Sequence, residues 1–476
     1  MIKKLLIYAP VQIFSALSLF ALIAVHTRFL HPESYGFLAV LLVIIEVSRS
    51  VLVQWINNCL IRFYPSAESK KQKQIYTVAV RWLLANIFFS VIVIGVLVAL
   101  LTEFEWRIFL AVYVFFVVKA IYLFAIEFAR VNQATSYYRR SVMAQAMLSI
   151  VMTVAFLSLN PTIVMALLAL VVSYSIAIIT CIGTMEWQLE PSTETEIKKE
   201  LFSYGAPLIL SGLMGVLVVR SDRVFIANLS GFEQAGQYSA ISNLLFGIMA
   251  LVFMVIALPL YPELTKFATD RERLITQHKT YGGLLFALSA PSCIGLCLLA
   301  PLFVGVFLGD AYANVNLTTF YLLVAAALLS NLRGHFLDHG LQFTLSTKYL
   351  PRIMATVLIV QILAAFVFIP QFGAVGAAIG IVIAMFVGFV MTAVVGFKAG
   401  YHYPIPQAIT QTVIATSVMA MSILGIQGVI GNNGLLELLL MIIVAVASYG
   451  LMHFLLDSFQ IRSYLLNKLR GRENDV

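Results

Sequence analysis

Residues 36–60 read GFLAVLLVIIEVSRSVLVQWINNCL, an almost unbroken apolar run with Glu46 and Arg49 near its centre. A helix needs about 20 mostly apolar residues to cross a bilayer, so this run predicts a membrane span. A charge at the bilayer centre costs about 2.5–3.5 kcal/mol on the mildest scale. The two charges must therefore be paired or face a polar interior.

Runs of this kind dominate the chain. Its 476 residues are 61% hydrophobic and only 11% charged, and the mean hydropathy is +0.97, whereas soluble domains are about one-quarter charged. The fold class is predicted to be an all-α polytopic membrane protein. Fourteen transmembrane helices are predicted, over residues 5–29, 36–60, 78–102, 109–134, 141–159, 162–184, 204–228, 237–261, 281–306, 317–345, 350–369, 373–396, 407–430 and 435–457.

Lysine and arginine lie almost entirely in alternate gaps between these spans. Of the 30 basic residues, 23 lie on one side, only Arg28 and Arg107 lie on the other, and five lie within spans. Because cytoplasmic loops carry the excess of Lys and Arg, both termini are predicted to be cytoplasmic. The net charge of +8 is therefore a sign of topology, and no nucleic-acid partner is expected.

The first two blocks of six spans resemble each other. Tyr8-Ala9-Pro10 is echoed by Tyr204-Gly205-Ala206-Pro207, and residues 32–36 match residues 232–236 in register. Both blocks begin on the same side, so the repeat is parallel, with a pseudo-axis along the membrane normal and an expected central cavity. The predicted division is residues 1–185 for an N-terminal six-helix lobe, 186–203 for a cytoplasmic linker, 204–400 for a C-terminal six-helix lobe, and 401–476 for two extra helices and a basic tail.

Nine ionisable residues lie within the predicted spans, where they would cost roughly 20–30 kcal/mol if all faced lipid. They are Glu46, Arg49, Lys119, Glu127, Arg220, Asp222, Arg223, Arg333 and Asp338. Lys119 has no acid within one helical turn, so Lys119 and Arg333 are the better candidates for contact with an anionic ligand. Structural alternatives stay open for Glu46 with Arg49, and for Asp222 with its neighbouring arginines, because each set could pair internally.

Motifs for catalysis or cofactor binding are not found in the sequence. It contains no metal constellation, Gly-rich phosphate loop or nucleophile motif, and its four cysteines lie inside apolar runs. The loops predicted to face outward are short, whereas a membrane glycosyltransferase would be expected to place catalytic groups in a sizeable outer loop. The chain is therefore expected not to be an enzyme and to use no cofactor or metal.

Short motifs in a fixed order connect the chain to a known family. They are Leu30 to Gly36, Ser221-Asp222-Arg223, Gly236-Gln237-Tyr238-Ser239, Pro259-Leu260-Tyr261-Pro262, Ala300-Pro301 with Leu308 to Tyr312, and Gly373 to Ala378. With these motifs the chain resembles the Wzx-like polysaccharide transporters, which are lipid-linked oligosaccharide flippases of the multidrug/oligosaccharidyl-lipid/polysaccharide exporter superfamily. The resemblance covers essentially the whole chain.

The resemblance implies two six-helix lobes around a V-shaped cavity that opens alternately to each side of the bacterial inner membrane. The implied substrate is an undecaprenyl-diphosphate-linked oligosaccharide repeat unit for surface or exopolysaccharide synthesis. The implied partners are this lipid-linked oligosaccharide, membrane lipids, a proton or Na⁺ as coupling ion, and polysaccharide polymerase and export machinery. The two extra helices resemble those of peptidoglycan-precursor flippases, where such helices are linked to a lipid groove.

Roles for the charged residues follow as a hypothesis. The basic residues are expected to bind the substrate headgroup: Arg49, Lys119, Arg220, Arg223 and Arg333, with Arg28 at the outer exit. When the two repeat blocks are aligned, Glu127 falls on the same position as Asp338. These two acids are expected to bind the coupling ion, together with Glu46 and Asp222. The alternatives are a multidrug exporter of the same superfamily, which would favour a net acidic cavity, and a non-transporting scaffold of a glycan-synthesis complex, which would show paired charges throughout.

Overall fold

The computed structural model describes residues 2–185, 195–427, 434–460 and 462–463, and for residues 2–13 it describes only the backbone. The chain is helical throughout this described part, which contains no strand. Residues 186–194 of the predicted linker and residues 464–476 of the predicted basic tail lie outside the described residues.

The helices follow the apolar runs of the sequence. They are α1 Ile2–Phe29, α2 Pro32–Phe63, α3 Ser69–Leu101, α4 Trp106–Val131, α5 Thr135–Leu159, α6 Ile163–Thr184, α7 Thr195–Ser230, α8 Phe232–Thr265, α9 Arg271–Leu298, α10 Leu317–Phe343, α11 and α12 within Leu350–Lys398, α13 Ile409–Gln427 and α14 Leu435–Leu455. Twelve continuous helices of the described part are long and apolar enough to cross a membrane, and α1 adds the shorter apolar helix Phe14–Phe29. With α11 and α12 counted separately, each predicted span falls on a helix in the part of the chain that the structure describes. The predicted span 281–306 also includes a short separate helix, Ala300–Phe307, and residues 428–430 of the span 407–430 lie outside the described residues. The predicted fold class is confirmed.

One glycine separates α11 from α12. Gly373 has φ +56° and ψ −130° inside an otherwise continuous helix, and a positive φ of this kind strongly favours glycine. The side-chain oxygen of Gln234 accepts a hydrogen bond from the Ala374 N–H at 2.9 Å and so caps the start of α12. The break therefore lies at the predicted boundary between the two spans.

The described residues group into two compact units. Unit 1 comprises Met1–Ala240 with Leu358–Ala377, and unit 2 comprises Ile241–Val357 with Ala378–Val476. The boundaries run through α8, α11 and α12, so they follow packing between helices and not the order of the sequence. The four-part division based on the internal repeat stays a prediction.

Within unit 1, α2 is the most deeply packed helix. Leu38, Val40, Leu41 and Ile45 are fully buried, and α2 contacts α3, α4, α6 and α7. Its central position explains why residues 36–60 are apolar on nearly every side. Any charge on α2 must therefore find a partner inside the unit.

The N-terminal ends of α2 and α8, both in unit 1, meet backbone to backbone. A Cβ atom added at Gly236 would lie 1.8 Å from the Pro32 carbonyl oxygen, and one added at Gly36 would lie 1.9 Å from the Phe232 carbonyl oxygen. Only glycine permits this approach, as at other close crossings of membrane helices. The repeat-related residues 36 and 236 thus contact each other directly.

Within unit 2, the connection from α12 to α13 packs against α9 and α10. The Tyr401 hydroxyl is 2.6 Å from Nδ1 of the buried His278 on α9. The Tyr403 hydroxyl donates to the Leu337 carbonyl at 2.7 Å and occupies the space left by Gly340 and Gly396. This connection fastens the two extra helices to the rest of unit 2.

We expect Gly236→Ala to destabilise the protein by about 1–3 kcal/mol, because the added methyl group meets backbone atoms that cannot rotate away. The measurement is the midpoint of thermal unfolding of the purified protein in detergent. Gly215→Ala is the matched control, since a Cβ at that position meets nothing within 4 Å. Equal midpoints for the two variants would show that the crossing tolerates a side chain.

Candidate functional site

The centre of α2 contains a π-helical turn at Ser50–Gln54. Such a turn inserts an extra residue into the helix and is frequent at functional sites. Nδ2 of Asn86 on α3 donates to the Leu52 carbonyl at 2.6 Å, so a side chain supplies a partner to the backbone of the turn. Arg49 lies immediately before the turn. The turn therefore determines which later residues of α2 lie on the same face of the helix as Arg49.

Glu46 lies between two cations from different helices. Its Oε2 accepts from Nε of Arg49 at 2.8 Å on the same helix, and its Oε1 accepts from Nζ of Lys119 on α4. All three side chains are only 15–18% exposed. The sequence predicts no acid within one helical turn of Lys119, and the structure supplies one on α2.

A third cation, Arg220 on α7, completes what we call the Glu46 cluster, defined as Glu46, Arg49, Lys119 and Arg220. Arg220 is close enough to interact electrostatically with Glu46 and Arg49 of the cluster, and also with Asp222 and Arg223 on its own helix. In the described part of the chain, no carboxylate lies within ion-pair distance of Arg220. The four residues of the cluster thus comprise three cations and one carboxylate, and this excess of positive charge suits an anionic ligand.

The neighbouring charges on α7 are bound within a buried network. Oδ1 of Asp222 accepts from Nη1 of Arg223 at 3.0 Å, and its Oδ2 accepts from the Tyr238 hydroxyl at 2.6 Å. Both charged side chains are only 3% exposed, and Arg223 Nη1 also donates to the Val219 carbonyl at 2.7 Å. This geometry fits the structural alternative for the pair, and a role in ligand or ion binding stays a prediction.

Unit 2 has a second π-helical turn, at Arg333–Leu337 in α10, and the Asp338 N–H donates to the Arg333 carbonyl. Nη2 of Arg333 contacts Sδ of Met354 at 3.1 Å. Among the described residues, Nε and Nη1 of Arg333 and Oδ1 of Asp338 have no hydrogen-bond partner. Room beside the guanidinium depends on Gly388, where a Cβ would lie 3.0 Å from Nη1. Arg333 therefore keeps hydrogen-bond donors available.

The remaining predicted site residues lie near helix ends. Glu127 forms an ion pair with Arg130 at 2.7 Å, one turn further along α4. Arg28, at the end of α1, donates to the Ala24 carbonyl at 3.4 Å. Glu127 is thus neutralised by a neighbour on its own helix, whereas Asp338 has no ion pair in the part of the chain that the structure describes.

Two polar residues next to the Glu46 cluster were missed in the sequence. Nη1 of Arg49 donates to Oε1 of Gln54, and Nε2 of Gln54 donates to Oδ1 of Asn58 at 3.2 Å. The sequence does contain an indication of them, because two amide residues four positions apart follow Arg49 within an apolar run. Tyr174 on α6 was missed as well, and it interacts electrostatically with the cluster.

The overall fold is similar to two kinds of solved transporter. The inward closed conformation of the lipid II flippase MurJ gives a TM-score of 0.71 at 14% identity, over 95% of this chain and 99% of MurJ. An inward-facing multidrug resistance MATE family transporter of the MOP superfamily gives 0.60 at 17% identity, over 80% of this chain and 94% of that one. At these identities the likeness shows the fold, which is that of multi-pass membrane proteins.

Sequence comparison gives a relative and a family. The capsular polysaccharide biosynthesis protein CapF of Staphylococcus aureus is 26% identical over 263 residues, which are 51% of this chain and 62% of CapF. The chain thus spans less than two-thirds of the length of that curated relative. The model of a family described as polysaccharide biosynthesis protein matches residues 25–316, more than half of the chain. This multi-pass membrane protein therefore belongs to the polysaccharide biosynthesis protein family.

Proposed function

We propose that the protein is a flippase that moves an undecaprenyl-diphosphate-linked oligosaccharide repeat unit across the bacterial inner membrane for surface or exopolysaccharide synthesis. The observation that carries the proposal is the Glu46 cluster, where three cations and one carboxylate meet within membrane-spanning helices. Membership of a polysaccharide biosynthesis family and a MurJ-like fold support it.

The cluster suits the diphosphate that joins lipid to sugar in such a substrate. A guanidinium can bind phosphate oxygens in a bidentate way, and an ammonium acts as a point charge. Arg49 and Arg220 supply the first kind of group and Lys119 the second. A polyprenyl chain can stay in lipid, so only the diphosphate and the sugars need polar partners.

The proposed binding step exchanges one anion for another. Phosphate oxygens approaching Arg49 and Lys119 compete with the Glu46 carboxylate, which now neutralises both. Once its cations are bound to phosphate, the Glu46 carboxylate is the acid proposed to bind the coupling ion, a proton or Na⁺. Binding of the ion would then accompany binding of the diphosphate, which couples the two.

Arg333 and Asp338 are the proposed second contact, within unit 2. The unpartnered nitrogens of Arg333 suit a phosphate or a charged sugar, and Asp338 is the proposed coupling acid there. Arg28 and Arg223 are proposed headgroup contacts, and Glu127 and Asp222 are proposed ion-binding acids. Polysaccharide polymerase and export machinery are the proposed protein partners.

A multidrug exporter is the second candidate, because the fold is also similar to a MATE family transporter. Such an exporter would favour cationic, lipophilic substrates and an acidic site. The Glu46 cluster has more cations than acids, so the flippase is the better supported function.

We expect Lys119→Gln and Arg333→Gln each to reduce polysaccharide export at least about tenfold, because each removes a charge-assisted contact to the headgroup. The measurement is surface polysaccharide in cells that depend on the introduced protein, normalised to its amount in the membrane. Lys71→Gln is the control, since its ion pair with Glu200 at 3.0 Å is exposed. Wild-type export from both variants would exclude the binding assignment.

We expect Glu46→Gln to bind a short-chain polyprenyl diphosphate more tightly than wild type at neutral pH, because the competing carboxylate is gone. Binding to the purified protein at a fixed neutral pH and fixed salt measures this effect. Glu33→Gln, in the exposed first turn of α2, should behave as wild type, and weaker binding by Glu46→Gln would contradict the exchange.

We expect Asp338→Asn to abolish the dependence of transport on an ion gradient, because the amide cannot take up a proton and is a weaker Na⁺ ligand. Transport by the protein in liposomes, with and without a proton or Na⁺ gradient, measures this. Asp310→Asn, at an exposed position before α10, is the control. Unchanged gradient dependence in Asp338→Asn would remove this residue from the coupling step.

A further inference from the structure

The amides of Gln54 and Asn58 continue the polar face of α2 beyond the Glu46 cluster. Gln54 accepts from Arg49, and Asn58 accepts from Gln54 at 3.2 Å. Both side chains are half-buried, in a helix whose other neighbouring residues are largely buried. The three side chains form a hydrogen-bonded row that begins at a cation and ends at a neutral amide.

The π-helical turn creates this row. Residues five apart lie on different faces of a regular α-helix, whereas a π-helical turn closes i to i+5 and brings them together. The turn Ser50–Gln54 follows Arg49 directly, so it carries Gln54 round to the arginine side. Asn58 then follows at the ordinary spacing of four residues, where side chains meet on one face.

The row leaves donors available at its far end. Nδ2 of Asn58 donates to no atom of the described residues, while its Oδ1 already accepts from Gln54. Asn58 Nδ2 is not one of the fully buried polar atoms without a partner, so it remains accessible. By contrast, Asn86 uses its Nδ2 on the Leu52 carbonyl and so has a structural contact.

We propose that Gln54 and Asn58 form a sugar-binding subsite for the first sugar attached to the diphosphate. The inference rests on the proposed function, because it takes the diphosphate to be held by the Glu46 cluster. Neutral amides with free N–H groups suit the uncharged oxygens of a sugar, such as hydroxyl groups or the carbonyl of an acetamido group. Because α2 runs from Pro32 toward the side predicted to be cytoplasmic, the sugar would lie on the cytoplasmic side of the cations.

Two probes separate sugar binding from diphosphate binding. One is a short-chain polyprenyl diphosphate, and the other is the same molecule with a single N-acetylglucosamine on the diphosphate. Affinities are measured with the full-length purified protein in lipid nanodiscs at fixed salt. We expect wild type to bind the sugar-bearing probe about tenfold more tightly, as two added hydrogen bonds allow.

The decisive variant is Asn58→Leu, which keeps the bond between Arg49 and Gln54 and removes the free donor. It should lose most of the tenfold difference while its affinity for the sugar-free probe stays within about twofold of wild type. Gln145→Leu is the matched control, because Gln145 is also half-buried and also bonds a residue four positions on, Ser149, at 2.8 Å. It should keep the full difference.

The outcomes distinguish this inference from the proposed function. Equal affinity of wild type for the two probes, or an undiminished difference in Asn58→Leu, would overturn the sugar subsite and leave the diphosphate site in place. Failure of wild type to bind either probe would overturn the diphosphate site, and the sugar subsite with it.

Discussion

One carboxylate shared by two helices is the constraint on which the centre of unit 1 depends. Glu46 binds Arg49 on its own helix and Lys119 on α4, inside helices long and apolar enough to cross a membrane. Without Glu46, three cations would repel one another where water is scarce, and an unpaired charge there is costly. The ion pair between Glu46 and Lys119 therefore ties α2 to α4.

The two π-helical turns give this polar chemistry its geometry. Arg49 lies just before the first turn and donates to Gln54, five positions further along. Arg333 begins the second turn, and its carbonyl accepts from the backbone N–H of Asp338, also five positions further along. The outcomes differ, because Arg49 is satisfied by Glu46 and Gln54, whereas Arg333 keeps two nitrogens without a hydrogen bond among the described residues. A regular helix would have directed these side chains to separate faces.

Hydropathy was enough to predict the fourteen spans, because a helix that crosses the bilayer needs about 20 mostly apolar residues whatever it packs against. It could not predict that Lys119 would meet Glu46, since the two lie 73 positions apart and their contact depends on how α2 packs on α4. The π-helical turns were also missed, because residues 50–54 have no composition that marks them. The pairing of Asp222 with Arg223 was foreseen as an alternative because neighbours in sequence remain neighbours in space.

The Glu46 cluster also explains why an acid is retained in a site that suits anions. Three buried cations with no acid would carry a large desolvation cost and would repel one another. A set of residues with no net charge would attract a diphosphate only weakly. A single carboxylate removes part of the repulsion and leaves surplus positive charge. Glu46 thus occupies the position beside Arg49 and Lys119 that the proposed phosphate oxygens would take.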